Sequence, residues 1–429
     1  MKRLFPRARR LPFSCVLGNV VIAGLMVASF PQGAWAQPTD PTSGTLHDAI
    51  EAAWTNDPAQ NDLALQESGA KKRERAARSW FAGSPTIDAQ YFDDRPSGRN
   101  YAYRTTQAGL SVPLWLPGQG TATENVARAD ATFAAAQREV AHMAVAIRVT
   151  DATGALQLAR ARRMTAQMTL AAFRRLAGAV QASVRAGEST SADLQAVNGQ
   201  MAVIESDVNA SVEDEDASQA SLDILTGRPT RVSLAEIDSH WPLYLRAQAV
   251  PWSEDRDPRL RAAHQRVRVA TEKDRLAAHS YMPNPEIGAG VINQGQYGSP
   301  WDTQIGVSLR MPIPTDVTRV PVRTQAQGAL STAERDEIDT RRTILAEVAR
   351  VQARLRNTSA SIVTTAQAAR DMLTRADAVE RSWRSGETPL IEAIRARMDA
   401  YDARLRFETA EAGYRIAIVR TVIAWGYLP

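Results

Sequence analysis

Four short segments alternate apolar residues with small or polar ones, two in each half of the sequence. The apolar positions are Ile87, Ala89 and Tyr91, then Ala108, Leu110 and Val112, and in the second half Ile287, Ala289 and Val291, then Ile305, Val307, Leu309 and Met311. A period of two predicts β-strands, here at about 85–95, 103–113, 285–293 and 303–311. Taken alone, the alternation favours an ordinary antiparallel sheet with one wet face over strands that separate lipid from a channel lumen, because the barrel signal per strand is weak.

A long segment follows each pair of predicted strands, and its apolar residues recur at heptad spacing. In the first segment one seam holds Val126, Phe133, Val140 and Ile147, and a companion seam holds Ala129, Ala136, Met143, Thr150 and Gln157. The last segment repeats the spacing with Ile391, Met398, Leu405, Ala412 and Val419. Sustained heptads predict long helices with coiled-coil-like packing, at about 120–185, 190–226, 320–384 and 389–425. The longest would reach about 100 Å. Shorter helices are predicted at about 46–81 and 257–281, each with a proline near its start.

The two halves are copies of one unit. Pro113 recurs as Pro312, and Gly227 recurs as Gly426, each pair 199 positions apart. Arg-x-Gly-Glu at 185–188 recurs at the same offset, at 384–387. Several matches in register indicate an internal duplication. The predicted domains are a first repeat at 46–227, an inter-repeat linker at 228–255 and a second repeat at 256–429.

The first 36 residues have the features of a cleaved secretory signal peptide. A start rich in Lys and Arg precedes an apolar run at about 16–30, and Ala34-Trp35-Ala36 offers a cleavage site. The run is shorter than the roughly 20 residues of a membrane-spanning helix, which argues against the alternative of a single membrane anchor. Residues 37–45 would then form an N-terminal linker.

Cleavage would change both the charge and the thiol content. The chain has 51 basic and 47 acidic residues, and all five charges of the first 36 residues are basic, so the processed chain has 46 minus 47, or −1. The positive excess that would favour nucleic-acid binding is thereby lost. The only cysteine, Cys15, precedes the apolar run, where lipidation is not expected. A processed chain without thiols suits the oxidising periplasm.

No motif for catalysis or cofactor binding stands out. The five histidines lack metal-ligand spacing, and there is no phosphate loop, nucleophile elbow or dinucleotide motif. The acidic run at 213–216 is interpreted as a solvated helix stripe, and Met164 and Met168 as packing residues rather than a copper site. The sequence therefore predicts no enzyme, no cofactor and no metal site.

The number of strands predicts self-association, because even a small barrel needs about eight strands. Three copies of a four-stranded chain would supply twelve, and their long helices could continue the tube. We state this assembly as a hypothesis from strand count and alternation.

The order of these features resembles the TolC-type outer-membrane efflux proteins. The resemblance rests on Leu46-x-x-Ala49 to Asn56-x-Pro58, on the strand-end prolines, and on the paired Arg-x-Gly-Glu segments, and it covers residues 45–427. It implies a mainly α homotrimer with a 12-stranded transmembrane β-barrel, continued by a periplasmic α-helical barrel. It also implies a periplasmic adaptor and an inner-membrane transporter as partners, and a channel without catalytic activity.

The resemblance further implies roles for residues between and after the paired long helices. The tips that would contact the adaptor comprise Arg185, Gly187, Glu188 and Ser189, and Arg384, Gly386, Glu387 and Thr388. The periplasmic aperture would be lined by Asp193, Glu392, Arg395 and Trp383. Arg395 and Trp383 depart from the family pattern of a second acidic residue and a tyrosine. Glu392 on a solvated helix face is an equal alternative to a lining role.

The expected function is a passive exit duct in the outer membrane for solutes delivered by a pump, with a resistance-nodulation-division pump favoured and metal cations slightly favoured over drugs. Two alternatives stay open: the channel of type I protein secretion, and an exported coiled-coil adaptor or structural protein.

Overall fold

The computed structural model describes residues 42–94, 103–232, 234, 252–295 and 299–428. The predicted signal peptide (1–36), most of the N-terminal linker and much of the inter-repeat linker lie outside the described residues. The described chain is mainly helical with a small β part, which confirms the predicted fold class.

Each repeat places helix, two strands and two long helices in the same order. The first repeat has β1 (Thr42–Ser43), α1 (Leu46–Asn56), α2 (Pro58–Ala77), β2 (Thr86–Asp93), β3 (Arg104–Pro113), α3 (Gln119–Ala186), α4 (Ser191–Thr226) and β4 (Thr230–Arg231). The second has α5 (Pro258–His279), β5 (Glu286–Gly295), β6 (Asp302–Arg310), α6 (Asp316–Arg384) and α7 (Leu390–Ala424), after a 3₁₀ turn at Glu254–Arg256. The short parallel pair β1–β4 was not predicted.

The single helix predicted at 46–81 is wrong, because the chain breaks at Asp57 into α1 and α2. Pro58 disfavours helical geometry in the residue before it, and Asp57 is extended, with φ −72° and ψ 122°. The Asp57 side chain then caps α2 by accepting a hydrogen bond from the Ala59 amide. Asp257 and Pro258 begin α5 in the same way, so the duplication extends to the caps.

The four longer strands form one antiparallel sheet in the order β2-β3-β5-β6. Its register aligns the alternating apolar residues in rows. One row contains Ile87, Leu110, Ala289 and Val307, and the next contains Ala89, Ala108, Val291 and Ile305. We call the side of the sheet with these rows the apolar face, and the opposite side the polar face.

The apolar face is not covered by any other part of the described chain. Ile87 and Ile305 are each 82% exposed and Val307 is 78% exposed. An ordinary sheet buries such a face against a core and leaves the polar face wet. The interpretation favoured by the alternation alone is therefore wrong for this sheet, since its apolar residues face outward.

The long helix α3 packs along α2 and α5 with its first half and along α4 and α7 with its second half. The small companion seam is buried in it, with Ala129, Ala136, Met143 and Thr150 each at most 8% exposed. The larger seam residues, such as Phe133 and Val140, are only half-buried and border a groove between α3 and α6. Alanine at the buried seam lets the helices approach closely.

Helix α6 begins at Asp316, somewhat before the expected start near 320, and carries Pro321 inside it. Proline has no amide proton, so one hydrogen bond of the second turn is missing. Throughout the described ranges, no helix combines the length and the apolar content needed to cross a membrane.

Candidate functional site

The tip between α3 and α4 is a tight turn centred on Gly187. This glycine has φ 79°, in the left-handed region that side chains with a Cβ avoid. The Gly187 amide donates to the Val184 carbonyl (3.1 Å), and the Glu188 amide donates to the Ser183 carbonyl (2.9 Å). These two bonds satisfy carbonyls at the end of α3, as in a Schellman motif.

The tip between α6 and α7 has the same geometry. Gly386 also has φ 79°, its amide donates to the Trp383 carbonyl (2.9 Å), and the Glu387 amide donates to the Ser382 carbonyl (3.0 Å). A serine hydroxyl also donates to the following glutamate in both tips, Ser183 to Glu188 (3.5 Å) and Ser382 to Glu387 (3.2 Å). A Cβ added at either glycine would meet no atom within 4 Å, so both turns are open to solvent.

The two tips differ at the start of the next helix. Thr190 caps α4 in a capping box: its hydroxyl accepts from the Asp193 amide (3.2 Å), and the Asp193 carboxylate accepts from the Thr190 amide (2.9 Å). The equivalent position before α7 is Pro389, which has neither an amide proton nor a hydroxyl, and no side chain caps this helix. The Asp193 carboxylate is therefore hydrogen-bonded to the backbone at the start of α4, whereas the Glu392 carboxylate makes no such capping bond.

Glu392 instead forms an ion pair within α7. Its Oε1 accepts from Arg395 Nη1 at 2.9 Å, and both side chains are partly exposed, 43% for Glu392 and 66% for Arg395. A pair three residues apart on an exposed helix stabilises the helix by a few tenths of a kcal/mol. Arg395 thus places a positive charge beside the carboxylate.

Trp383 is half-buried and packs against the apolar cluster that joins the two tips. This cluster includes Val180, Val184 and Leu194 of the first hairpin with Leu390 and Ile394 of the second. The two tips therefore lie side by side, and both hairpins contribute side chains to the same apolar cluster.

Of the remaining tip residues, Ser189 and Thr388 contact their own hairpins. Arg185 and Glu188 are exposed, Ser189 Oγ lies 2.9 Å from Ser183 Oγ, and Thr388 donates to the Val379 carbonyl at 3.4 Å.

Sequence reasoning missed an ion-pair network above the second tip. Glu380 binds both Arg384, at 2.6 Å, and Arg397 of α7, and Arg397 also binds Asp377 at 2.9 Å. The spacing of Glu380 and Arg384 could have suggested the first pair, but the pairing with Arg397 depends on how α6 and α7 meet.

The other candidates from the sequence differ in their surroundings: Met164 and Met168, interpreted as packing residues, are 57% and 55% exposed. In the acidic run, Glu215 is half-buried and bridges α4 to α3 through Arg163 and through Arg160, at 3.2 Å for the latter, while its neighbours in the run are exposed. Within the described residues, no cluster of His, Cys, Asp and Glu could hold a metal ion.

Comparison with known proteins identifies the fold and relates the second repeat to a known family. Residues 252–426 match the family model described as outer membrane efflux protein. The structure is similar to the outer membrane protein VceC from Vibrio cholerae, with 16% identity, a TM-score of 0.70, and coverage of 88% of this chain and 95% of that chain. A membrane protein from Pseudomonas aeruginosa has 16% identity, a TM-score of 0.71, and coverage of 91% and 98%. The Neisseria gonorrhoeae MtrE outer membrane channel, in its open state, has 15% identity, a TM-score of 0.70, and coverage of 89% and 88%. No curated protein matches the sequence.

The predicted resemblance is therefore confirmed, by sequence over the second repeat and by fold over most of the chain.

Proposed function

We propose that this chain is the outer-membrane channel subunit of a tripartite efflux system and acts as a homotrimer. It would be a passive duct for solutes that an inner-membrane pump and a periplasmic adaptor deliver. The observation that carries the proposal is the four-stranded sheet, whose apolar face is exposed and whose two edges are open.

The apolar face fits lipid rather than water. Its large side chains are exposed on every strand, and Leu309 (63%) and Met311 (61%) extend it toward α6. Trp80, 90% exposed, follows α2 just before β2. Outward apolar strands with aromatic residues at the margins are typical of transmembrane barrels.

The open edges explain why one chain is not enough. In lipid every backbone amide and carbonyl has to find a partner within the protein, so the outer edges of β2 and β6 must pair with something. The edge strands are different, which favours head-to-tail pairing between copies and a closed ring. Three copies would close twelve strands.

The helices offer matching free flanks. Helix α4 exposes Val203 (51%) and Ile224 (75%), and α6 exposes Ile338 (52%) and Val363 (68%). The main neighbours of α4 in the described chain are α3 and α1, and those of α6 are α5 and α7. Pairing α4 of one copy with α6 of the next would cover both flanks and continue the ring as a helical barrel.

The tips would be the periplasmic end, where the adaptor docks. Both turns are exposed and built on the same geometry, so a trimer presents six of them. Glu392, with its Arg395 partner, would lie near the aperture, and Asp193 and Trp383 would support the wall around it. Neutralisation by Arg395 makes this aperture less attractive to cations than a ring of bare carboxylates.

The assembly is tested by extraction and crosslinking of the full chain in outer-membrane fractions. We expect the protein to need detergent for release and to crosslink as a trimer. Release by salt or alkali would support the alternative of an exported adaptor or structural protein, and a detergent-soluble monomer would refute the ring.

Adaptor docking is tested by replacing Gly187 and Gly386 together with tryptophan. The trimer should persist while resistance is lost, because the bulky side chains project from exposed turns. The matched control replaces both with asparagine, which tolerates φ near +60° and should retain function. Normal efflux in the tryptophan variant would contradict docking at the tips.

Substrate class is tested by deleting the gene and screening metal salts, antibiotics and secreted proteins. Sensitivity to metal cations or drugs supports a resistance-nodulation-division pump as the partner. Loss of a secreted protein with unchanged sensitivity would instead support type I secretion.

A further inference from the structure

The polar face of the sheet is bare at its centre. Asp88 on β2 is in register with Gly109 on β3, which pairs with Gly290 on β5, which pairs with Gly306 on β6. Only the first of these four residues carries a side chain beyond the backbone. Its carboxylate leans over the neighbouring strand, since a Cβ on Gly109 would stand 2.7 Å from Asp88 Oδ1.

No contact within the described chain requires glycine, rather than a larger residue, at the far end of this row. A Cβ at Gly306 would meet no atom within 4 Å. Glycine inside a strand weakens it and often marks a place where something approaches the backbone closely. The row therefore keeps open the space above the centre of the sheet.

Asp88 is also electrically uncompensated. It is exposed, and no basic side chain among the described residues forms an ion pair with it. Elsewhere on the polar face Arg310 pairs with Glu286 at 3.2 Å, and Asp302, at the end of β6, accepts a hydrogen bond from Gln304 at 2.8 Å. Three carboxylates and one guanidinium give the strands of this face a net charge of −2 per chain.

From this arrangement we propose that Asp88 sets the charge preference of the barrel lumen, as a ring of carboxylates that attracts hydrated cations at a glycine-lined level. The inference rests on the proposed function: if the apolar face meets lipid, the polar face lines the lumen. Three copies then place three Asp88 side chains at one level, where the glycines supply no competing side chain. A lumen lined by charges of one sign raises the local concentration of ions of the opposite sign.

Thiol chemistry tests this inference cleanly, because the only cysteine of the sequence, Cys15, lies in the predicted signal peptide. Gln107→Cys places a thiol on the polar face, diagonal to Asp88 and about 7–8 Å from it. Ala108→Cys places one on the apolar face of the same strand. Both full-length variants are reconstituted in vesicles, and the rates of modification by a cationic and an anionic methanethiosulfonate are measured.

We expect Gln107→Cys to react and Ala108→Cys to stay protected by lipid. Adding Asp88→Asn to Gln107→Cys should lower the ratio of cationic to anionic rates about two- to threefold in about 0.1 M salt, from a screened unit charge at that distance. Asp302→Asn is the matched control, because this carboxylate lies farther from the probe, and it should lower the ratio less than about 1.5-fold.

The outcomes separate the two proposals. Equal reaction of Ala108→Cys and Gln107→Cys would refute the barrel and with it the proposed function. Selective reaction of Gln107→Cys with a ratio that Asp88→Asn leaves unchanged would overturn the role of Asp88 while the channel stands.

Discussion

Gly154 lies in the middle of α3, and Ile416 of α7 lies directly against it. A Cβ at this position would stand 2.3 Å from Ile416 Cδ1 and 2.6 Å from Ile416 Cγ1. Gly178 lies in the same helix, and a Cβ there would meet nothing within 4 Å. Replacing each glycine with alanine therefore compares the same substitution with a steric conflict, at Gly154, and without one, at Gly178.

The magnitudes follow from three contributions. Alanine in place of glycine inside a helix stabilises by about 1 kcal/mol. Overpacking against Ile416 costs about 1–3 kcal/mol, so Gly154→Ala should be neutral or destabilise by up to about 2 kcal/mol. Gly178→Ala should stabilise by about 1 kcal/mol. Ile416→Ala alone should cost about 2–3 kcal/mol, since the side chain is only partly buried.

Combining Gly154→Ala with Ile416→Ala removes the conflict and fills part of the vacated space. The double variant should be more stable than the sum of the single changes by about 1–3 kcal/mol. Heat- and urea-induced unfolding in detergent, followed by the helical circular dichroism signal at matched protein concentration, measures these differences. Additive effects, or a Gly154→Ala variant as stabilised as Gly178→Ala, would refute the close approach of α3 and α7.

Other expectations concern caps, charge and pH. Thr190→Ala should destabilise the start of α4 by about 1 kcal/mol, seen as faster amide exchange at the first tip, whereas Thr388→Ala should have a smaller effect. Arg395→Ala should leave Glu392 unpaired and tighten block of the channel by divalent cations, while Arg395→Lys should not. Burial lowers the pKa of His142 below its ordinary 6.5, with Glu51 opposing the shift. The unfolded chain then binds more protons than the folded one, so stability is lost as pH falls below about 6.5. His142→Gln should flatten this dependence in thermal melts compared at about pH 7.5 and 5.5.

The fold class was predictable because the strand and helix periodicities are both regular and both extend over many residues. The strands alternate over several residues and the helices keep heptads over many turns, so local pattern and tertiary packing agree. The break at Asp57 was missed because apolar spacing continues across it, although Pro58 carried the signal. The exposure of the apolar face could not be predicted from the alternation. A strand shows the same period of two whether its apolar side packs against a protein core, lipid or another chain.

The tip residues show where sequence reasoning ends. The turn glycines and the capping box of Thr190 with Asp193 can be read from spacing, and so can the pairing of Glu392 with Arg395. The position of Trp383 against the cluster between the hairpins depends on how α3 meets α7, which no local pattern contains. The placement of Asp88 beside three glycines depends on strand register across both repeats.

The unequal caps of the two tips have a consequence for symmetry. One hairpin starts its second helix with a threonine that forms a capping box with Asp193, and the other with a proline that provides no side-chain cap. In a ring of three chains the six tips would alternate between these two kinds, so the ring repeats every third of a turn and not every sixth. A partner ring built from six identical copies would have to bind in two non-equivalent poses, one at the rigidly capped tip and one at the tip without a cap.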